Sequence, residues 1–272
     1  MTLPGEFRIP RLTLPRRATG RWVAAVLVAV ALAGCGLRGA RPTLPPLSAE
    51  TLLDRLAARR TEVSSLRARA RVHAGLQGRW VRQAFLVRRP DAVRVDVLSP
   101  FGLVLALGAR DDLLWAYPPA DRIRYEGAAT PANLARFLGA AVAIEDIVDI
   151  LLGTPPVRNP TGRAQIVATP EHEYRVVVPI EAGTQTIWFA GDTLLVLRAE
   201  ESHADGSIVR LAFGEYENGF PRALEVRTQD GSPVKLDYEA VETNVALDPQ
   251  LFAPPPAPRV LPLEGARGAE PH

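Results

Sequence analysis

The chain has 272 residues, of which 47% are hydrophobic and 23% are charged. This composition is that of a globular protein and excludes a largely disordered chain. The formal net charge is +2, but residues 1–34 contain five arginines and one acid, so the rest of the chain carries a net charge of −2. A chain with this balance is not expected to bind nucleic acid through its phosphate backbone.

The first 34 residues have the pattern of a secretory signal peptide. A positive region ends at Arg21, and an apolar run from Trp22 to Gly34 follows it. At 13 residues, the run is shorter than the roughly 20 residues with which a helix crosses a bilayer. We therefore expect residues 1–34 to be removed, and they are left out of the predicted fold.

Leu32, Ala33 and Gly34 precede Cys35 and resemble the lipobox of bacterial lipoprotein precursors. Cys35 is the only cysteine, so it cannot form an internal disulfide in an oxidising compartment. We expect it to carry a diacylglycerol and an N-acyl chain, whose buried CH₂ groups contribute about 0.8 kcal/mol each. Gly36 does not match the aspartate of inner-membrane retention signals. The resemblance therefore implies a lipid anchor in the outer membrane, facing the periplasm.

The remaining chain divides into a tether, one large domain and a tail. Residues 35–47 are rich in proline and are expected to form the lipidated tether. Ser48 is the predicted N-cap of an amphipathic helix that ends near Val63. The domain is expected over residues 48–252, and the proline-rich residues 253–272 are expected to form an exposed tail.

After the first helix the hydrophobic pattern changes to a period of two. From Leu66 to Ala74, apolar residues alternate with arginines and His73, which predicts a strand with one buried face and one wet face. Turn signals such as Asn218-Gly219 separate further short strands at spacings typical of an antiparallel meander. Predicted strands lie near 66–74, 80–87, 93–97, 103–108, 112–117, 122–126, 164–168, 173–179, 184–190, 193–201, 207–217, 222–228 and 233–241.

Two helices are expected to interrupt the strands. Thr130-Pro131 places a cap and a proline at the start of the first, over residues 130–139. The second covers residues 143–152, because Ile144, Ile147, Val148 and Leu151 recur at helical spacing.

Residues that could perform covalent chemistry are few and scattered. The sequence contains no G-x-S-x-G motif, no glycine-rich phosphate loop and no H-E-x-x-H motif. Glu171-His172-Glu173 could bind a metal, but three consecutive side chains of a turn diverge, which favours a solvated turn. We therefore expect no catalytic residue, no metal site and no enzymatic activity.

The segment Ser99-Pro100-Phe101-Gly102 places an aromatic side chain on a tight turn between two predicted strands. Proline and glycine set the turn, and Phe101 at its tip has few neighbours against which to be buried. Exposure of a large aromatic side chain is costly unless a membrane or an apolar ligand receives it. The alternative is that Phe101 folds back over the edge of the sheet.

Three features in this order resemble the LolB family of outer-membrane lipoprotein receptors. They are the lipobox, the segment Arg94 to Leu107 around the Ser-Pro-Phe-Gly turn, and the segment Thr130 to Pro156 with its Leu-Leu-Gly-Thr-Pro ending. The similarity spans about residues 48–241. The ending Val245 to Phe252 is similar to the LolA family of soluble carriers, which share the fold. The long proline-rich tail and the phenylalanine at the tip depart from the LolB pattern.

The resemblance implies a mainly β fold, a half-open antiparallel barrel in which helices form a lid over a concave apolar face. It also implies a protein that accepts acylated lipoproteins from a LolA-like periplasmic carrier and inserts them into the outer membrane without covalent chemistry. Phe101 occupies the position of the membrane-engaging tip of the family. The expected partners are that carrier, its client lipoproteins and membrane lipid, and the chain is expected to be monomeric.

A concave apolar face would be the site for acyl chains. The residues hypothesised to line it are Leu103, Leu105, Leu107, Leu113, Trp115 and Trp188, with the lid residues Leu134, Leu138, Ile147 and Leu151. Each of them could equally be ordinary core. The alternative function is an outer-membrane lipoprotein of the same fold that binds or scaffolds envelope proteins and carries no acyl chain, which a polar-lined or collapsed cavity would favour.

Overall fold

The computed structural model describes residues 44–74, 78–138, 141–228 and 233–263. Helix α1 covers Ala49–Glu62, α2 covers Pro131–Leu138 and α3 covers Ile144–Leu151. No helix in these ranges is long and apolar enough to cross a membrane. The strands are β1 (Ser65–Ala74), β2 (Val81–Arg88), β3 (Ala92–Ser99), β4 (Gly102–Arg110), β5 (Leu113–Tyr117), β6 (Ile123–Ala128), β7 (Gln165–Thr169), β8 (Glu173–Ile180), β9 (Gly183–Ala190), β10 (Val196–His203), β11 (Ile208–Glu217), β12 (Phe220–Thr228), β13 (Val234–Thr243) and β14 (Arg259–Pro262).

The strands form one curved sheet in the order β14-β6-β5-β4-β3-β2-β1-β13-β12-β11-β10-β9-β8-β7. Neighbouring strands are antiparallel except for β14, which pairs with β6 in parallel. β14 and β7 lie at the two ends of the order, so the sheet does not close. The predicted mainly β fold with a half-open antiparallel sheet is confirmed, with one parallel pair added at its edge.

Helix α1 begins where the sequence predicts. The Ser48 hydroxyl accepts a hydrogen bond from the Thr51 amide at 3.1 Å, which satisfies one of the free donors of the first turn. Leu52 and Leu56, four residues apart, are buried against the sheet. Arg59 and Arg60 occupy the last turn, where positive charge is favoured by the helix dipole.

The face of the sheet that contacts the helices is called here the inner face. In β1, Leu66, Ala68 and Ala70 are buried on this face, and the alternate arginines point away from it. A single hydrophobic core joins this strand to Phe85 of β2 and to Phe189 of β9. Because strands from both halves of the sheet contribute to one core, the helices lie within the curve of the sheet.

Residues 253–262 are exposed or half-buried, and the chain is held to the sheet on either side of them, at Phe252 and at Leu263. Phe252 is 1% exposed and packs with Ala92 and Leu247 on the face of the sheet opposite the helices, called here the outer face. The chain then forms β14 along the open edge of β6. Leu263 is 1% exposed within the main core. Residues 264–272 lie outside the described residues.

We expect Leu263→Ala to lower the free energy of unfolding by about 2 kcal/mol, because it removes a buried side chain and leaves a cavity near the Cβ position of Gly127. Urea unfolding monitored by circular dichroism measures the change. Val260→Ala, at a side chain that is 46% exposed in the preceding strand β14, is the matched control and should cost less than about 0.5 kcal/mol. Equal midpoints for the two variants would contradict an anchoring role of Leu263.

Candidate functional site

The turn between β3 and β4 presents Phe101 to solvent. Its side chain is 100% exposed, so it does not fold back over the sheet. The Ser99 hydroxyl donates to the Gly102 carbonyl oxygen at 3.1 Å and accepts from the Phe101 amide at 3.2 Å, which fixes the turn. Gly102 has a φ of +122°, a region that favours glycine. These contacts explain why a serine, a proline and a glycine surround the exposed ring.

An apolar track connects this turn to the core. On the inner face, Val95 pairs with Leu107 and Val97 pairs with Leu105. Val95 packs against the core, whereas Val97 and the two leucines are half-buried. Leu103, which follows the turn on the same face of β4, is 39% exposed. The inner face therefore becomes progressively more exposed from the core towards Phe101.

Residues 103, 105 and 107 of the hypothesised cavity lie along this track, and the lid residues are distributed differently. Leu134 and Leu151 are buried in the core, and Ile147 is half-buried against it. Leu138, at the end of α2, is 46% exposed. The structure thus brings Leu134, Ile147 and Leu151 together under the helices and leaves Leu138 at the surface.

Three further residues of the hypothesised cavity lie on the outer face. Side chains alternate along β5, so Trp115 points away from the buried Leu114, and its indole N–H donates to the Phe252 carbonyl oxygen at 3.0 Å. Leu113 is exposed and lines an open groove of about 640 Å³ with Phe252. Trp188 alternates with the buried Ile187 and Phe189 and stacks under the Arg198 guanidinium, 4.7 Å from the ring centroid. These positions correct the assignment of the three residues to the inner face.

Helix α3 is held against the sheet by a buried carboxylate. The side chain of Asp149 is 3% exposed and accepts two hydrogen bonds from Arg60 Nε, at 2.9 and 3.1 Å. It also pairs with Arg89, in the turn between β2 and β3. Arg89 Nε donates to the Val63 carbonyl oxygen at 3.0 Å. Asp149 therefore ties α3 both to α1 and to the sheet.

A second ionic contact holds the other end of α3. Arg158 donates to both oxygens of Asp146, at 2.8 and 2.7 Å, and to both oxygens of Glu201 in β10, at 2.9 and 3.2 Å. Gln185, which is 2% exposed, donates to Glu201 at 3.0 Å. Burial opposes the charge of Arg158, but its hydrogen bonds to the two carboxylates raise the pKa of the guanidinium above its ordinary value. Arg158 consequently remains a cation at any physiological pH.

The sequence analysis missed both ionic contacts. Asp146 and Asp149 are three residues apart, so both lie on one side of α3, between its apolar positions. A carboxylate on the buried side of an amphipathic helix signals a cation elsewhere in the chain, because it is rarely buried without one. The partner arginines are distant in sequence, and nothing in the sequence alone pairs them with α3.

The residues considered for chemistry do not assemble into a reactive site. Glu173 pairs with Arg198 at 2.7 Å, and His172 occupies the turn before β8 with a φ of +65°. Within the residues that the structure describes, no group of three histidine, cysteine or acidic side chains could hold a metal ion. The lipobox residues Leu32, Ala33 and Gly34, together with Cys35, lie outside the described residues.

The sequence matches no protein-family profile and no curated protein. Its fold does match solved structures. A LolA superfamily protein from Nitrosomonas europaea superposes with a TM-score of 0.51 at 14% identity, over 77% of this chain and 99% of that one. A DUF1329 family protein from Desulfovibrio piger gives a TM-score of 0.51 at 16% identity, over 76% of this chain and 98% of that one. Identities this low concern the fold alone, and the likeness is to the LolA fold rather than to the LolB family in particular. The chain therefore has the half-open, helix-filled sheet of the LolA superfamily fold.

Proposed function

We propose that this chain is a lipid-anchored receptor of the outer membrane, which accepts the acyl chains of lipoproteins from a LolA-like periplasmic carrier and releases them into the bilayer. The proposal includes Cys35 as the lipidated residue and includes no covalent step. One observation supports this proposal more strongly than the others. Phe101 is fully exposed at the end of an apolar track that leads from the core of a LolA-like fold.

The physical argument concerns the transfer of apolar surface between two phases. Each CH₂ kept out of water is worth about 0.8 kcal/mol, so acyl chains need a continuous apolar path from the receptor to the membrane. The half-buried leucines at 105 and 107 and the exposed Leu103 supply such a path along the inner face of β4. Phe101, placed in the bilayer, would join that path to the hydrocarbon phase.

The inner face is occupied by its own helices in this structure, so acyl chains could enter only if α2 or α3 moved. Helix α3 is tied at both ends by ion pairs, at Asp149 and at Asp146. Helix α2 has no ion pair to the sheet among the described residues, and its last residue, Leu138, is exposed. We infer that α2 is the element that moves when an acyl chain is bound.

The tether limits how the tip can reach the membrane. Pro45, near its end, accepts a hydrogen bond from the Tyr174 hydroxyl at 2.6 Å, at the start of β8. The start of β8 and the turn of Phe101 lie at opposite rims of the antiparallel sheet, and the two rims are about 30 Å apart along a nine-residue strand such as β4. The nine residue steps from Cys35 to Leu44 span at most about 32 Å when extended.

Deletion of residues 39–42 is expected to lower the transfer of lipoproteins into vesicles by the lipidated protein, because it shortens the reach of the tether by about 13 Å. Replacement of the same four residues by glycine and serine should leave transfer unchanged, since the length is kept. Transfer is measured as vesicle-associated client lipoprotein. A deletion variant that transfers as fast as the parent would contradict contact between Phe101 and the membrane in which Cys35 is anchored.

The experiment that tests the proposed function uses the chain from Gly36, which contains the whole compact unit Leu44–His272. An acylated lipoprotein bound to its periplasmic carrier is mixed with this protein. We expect the acylated lipoprotein, but not its unacylated form, to move onto the chain. Absence of movement with a folded chain would contradict a receptor function.

The filled inner face favours a second candidate, an anchored scaffold that binds envelope proteins and carries no acyl chain. Polar groups such as Gln185 and Glu201 lie buried under α3 and its following segment, where an acyl chain would otherwise lie. A scaffold would bind neither acylated nor unacylated client in the same experiment. A fluorescent fatty acid would then remain in water when the chain is added.

A further inference from the structure

Trp80 is a second large aromatic side chain at the rim that carries Phe101. Its side chain is 45% exposed, and Val81 beside it is 36% exposed. Arg82 pairs with Leu98, and Leu98 pairs with Leu103 across the next strand. Because the register advances along antiparallel strands, the residues before Arg82 lie beside the turn of Phe101.

The two aromatic side chains differ from the other exposed apolar residues. Among the residues that the structure describes, Trp80 and Phe101 are the only large aromatic side chains so exposed, and they share one rim. The remaining exposed aliphatic residues include Val167 on β7 and Val260 on β14, which belong to opposite ends of the sheet order. Single exposed aliphatic residues are common, whereas a cluster of apolar side chains at one rim indicates a contact surface.

The surroundings of Trp80 are basic. The Arg71 guanidinium lies 5.4 Å from the centroid of its indole ring, and the His73 ring lies 5.3 Å away. Asp237 approaches Arg71 at 3.7 Å, and Glu239 approaches Arg71 at 3.5 Å and Arg82 at 3.7 Å, so the two acids offset the charges of these two arginines. Arg79, next to Trp80, is exposed and makes no ion pair with any described residue. A positive charge therefore remains directly beside the exposed indole.

We propose that Trp80 and Arg79 form a second membrane contact, which binds the anionic phospholipid surface that Phe101 enters. This inference rests on the proposed function, which supplies the premise that Phe101 points towards the membrane. An indole has an apolar body and a polar N–H, which suits it to the level of the headgroups. A guanidinium beside it attracts anionic headgroups.

Two membrane contacts fix the orientation of the protein on the bilayer, which a single contact does not. A protein held only by Phe101 can rotate about that point, so the apolar track on β4 need not face the bilayer. With Trp80 directly before β2 and Phe101 between β3 and β4 both in contact, the rim is fixed across three neighbouring strands. The inner face of β3 and β4 then opens towards the hydrocarbon phase in one orientation.

The test uses the chain from Gly36 with Trp188→Phe. This protein retains two tryptophans, Trp80 and the fully buried Trp115, so a membrane-dependent change in emission reports Trp80. Vesicles of phosphatidylethanolamine and phosphatidylglycerol with brominated acyl chains should quench it. We expect Trp80→Ala to lower vesicle binding about tenfold, because it removes a large aromatic side chain from the membrane interface. Arg79→Gln should lower binding to these vesicles and leave the weaker binding to phosphatidylcholine vesicles unchanged.

Controls separate this inference from the proposed function. Val167→Trp in the Trp80→Ala background places an exposed indole on β7, and its emission should not be quenched. Unquenched Trp80 emission, or full vesicle binding by Trp80→Ala with a native circular dichroism spectrum, would overturn the inference. Vesicle binding is measured without any client lipoprotein. A chain that binds vesicles through Trp80 but takes no acylated client would therefore contradict the proposed function and leave this inference intact.

Discussion

Replacement of Phe101 by glutamate is expected to reduce the transfer of acylated lipoprotein into vesicles at least about tenfold, without a measurable loss of stability. Burial of a phenylalanine side chain in an apolar phase is worth about 1.5–3 kcal/mol, and about 1.4 kcal/mol corresponds to a factor of ten. The change should leave folding intact because the Phe101 side chain is 100% exposed. Substitutions at such positions usually change stability by less than about 0.5 kcal/mol.

Two further variants decide whether the effect belongs to the tip. Phe101→Leu keeps an apolar side chain and should retain most of the transfer. Val167→Glu introduces the same charge at a side chain that is 47% exposed on β7, at the far end of the sheet order, and should transfer like the parent. Glutamate at residue 101 with unchanged transfer would refute a membrane role for the tip. An equal loss in Val167→Glu would indicate an effect of net charge.

Secondary structure in this chain follows closely from local sequence. The alternation from Leu66 to Ala74 and the cap at Ser48 each predict an element that the structure contains. The helices expected at 130–139 and 143–152 appear as Pro131–Leu138 and Ile144–Leu151. Periodicity and capping are properties of neighbouring residues, so one sequence suffices to detect them.

Which face of the sheet a strand residue occupies was harder to predict, as Trp115 and Trp188 show. Strand β5 carries apolar residues on both faces, so its period of two does not reveal which face meets the helices. Trp115 is among the residues hypothesised to line the concave inner face, with ordinary core as the alternative. It lies on the outer face because the segment around Phe252 returns there and covers it. That return joins residues 137 positions apart, a distance that no local pattern spans.

The contacts of the C-terminal segment with the sheet are a second feature that the sequence analysis did not predict. Proline-rich composition indicates a chain that cannot form regular structure alone, and the prediction of an exposed tail followed from it. Here arginines of the outer face supply the missing donors. Arg110 donates to the Pro249 carbonyl oxygen at 2.9 Å, and Arg124 donates to that of Pro255 at 2.6 Å. Arg110 of β4 and Arg124 of β6 therefore bind the backbone of the C-terminal segment.

The hydrogen bonds of the C-terminal segment and the buried ion pairs of α3 determine how firmly each of the helices α2 and α3 is held. The C-terminal segment reaches α2, where Arg136 donates to the Leu263 carbonyl oxygen. That contact is one hydrogen bond, and Asn133 of α2 donates a second, to the Ala128 carbonyl oxygen at the end of β6, at 2.9 Å. Helix α3, by contrast, is held by Asp149 and by Asp146 with charged partners on α1, on the sheet and on Arg158. Opening at α2 therefore breaks fewer strong contacts than opening at α3.

The variant Asp149→Asn tests the strength of this attachment. It should lower the free energy of unfolding by about 3 kcal/mol, because the loss of one partner leaves Arg89 buried beside a neutral amide. Arg89 is 17% exposed in its side chain, whereas Arg60, at 42%, can regain water and limits the loss. Urea unfolding should show a lower midpoint with an unchanged slope. Asp111→Asn removes the acid of an exposed pair with Arg110 and should cost less than about 0.5 kcal/mol.

The same variant distinguishes the two elements of the lid. If α2 alone opens, Asp149→Asn should bind a fluorescent fatty acid at the parental rate under conditions in which it remains folded. Arg136→Ala, which frees α2 from the Leu263 carbonyl, should then bind it faster. Faster uptake by Asp149→Asn with no change in Arg136→Ala would instead assign the opening to α3. In that case the buried carboxylate would be the contact that an incoming acyl chain has to break.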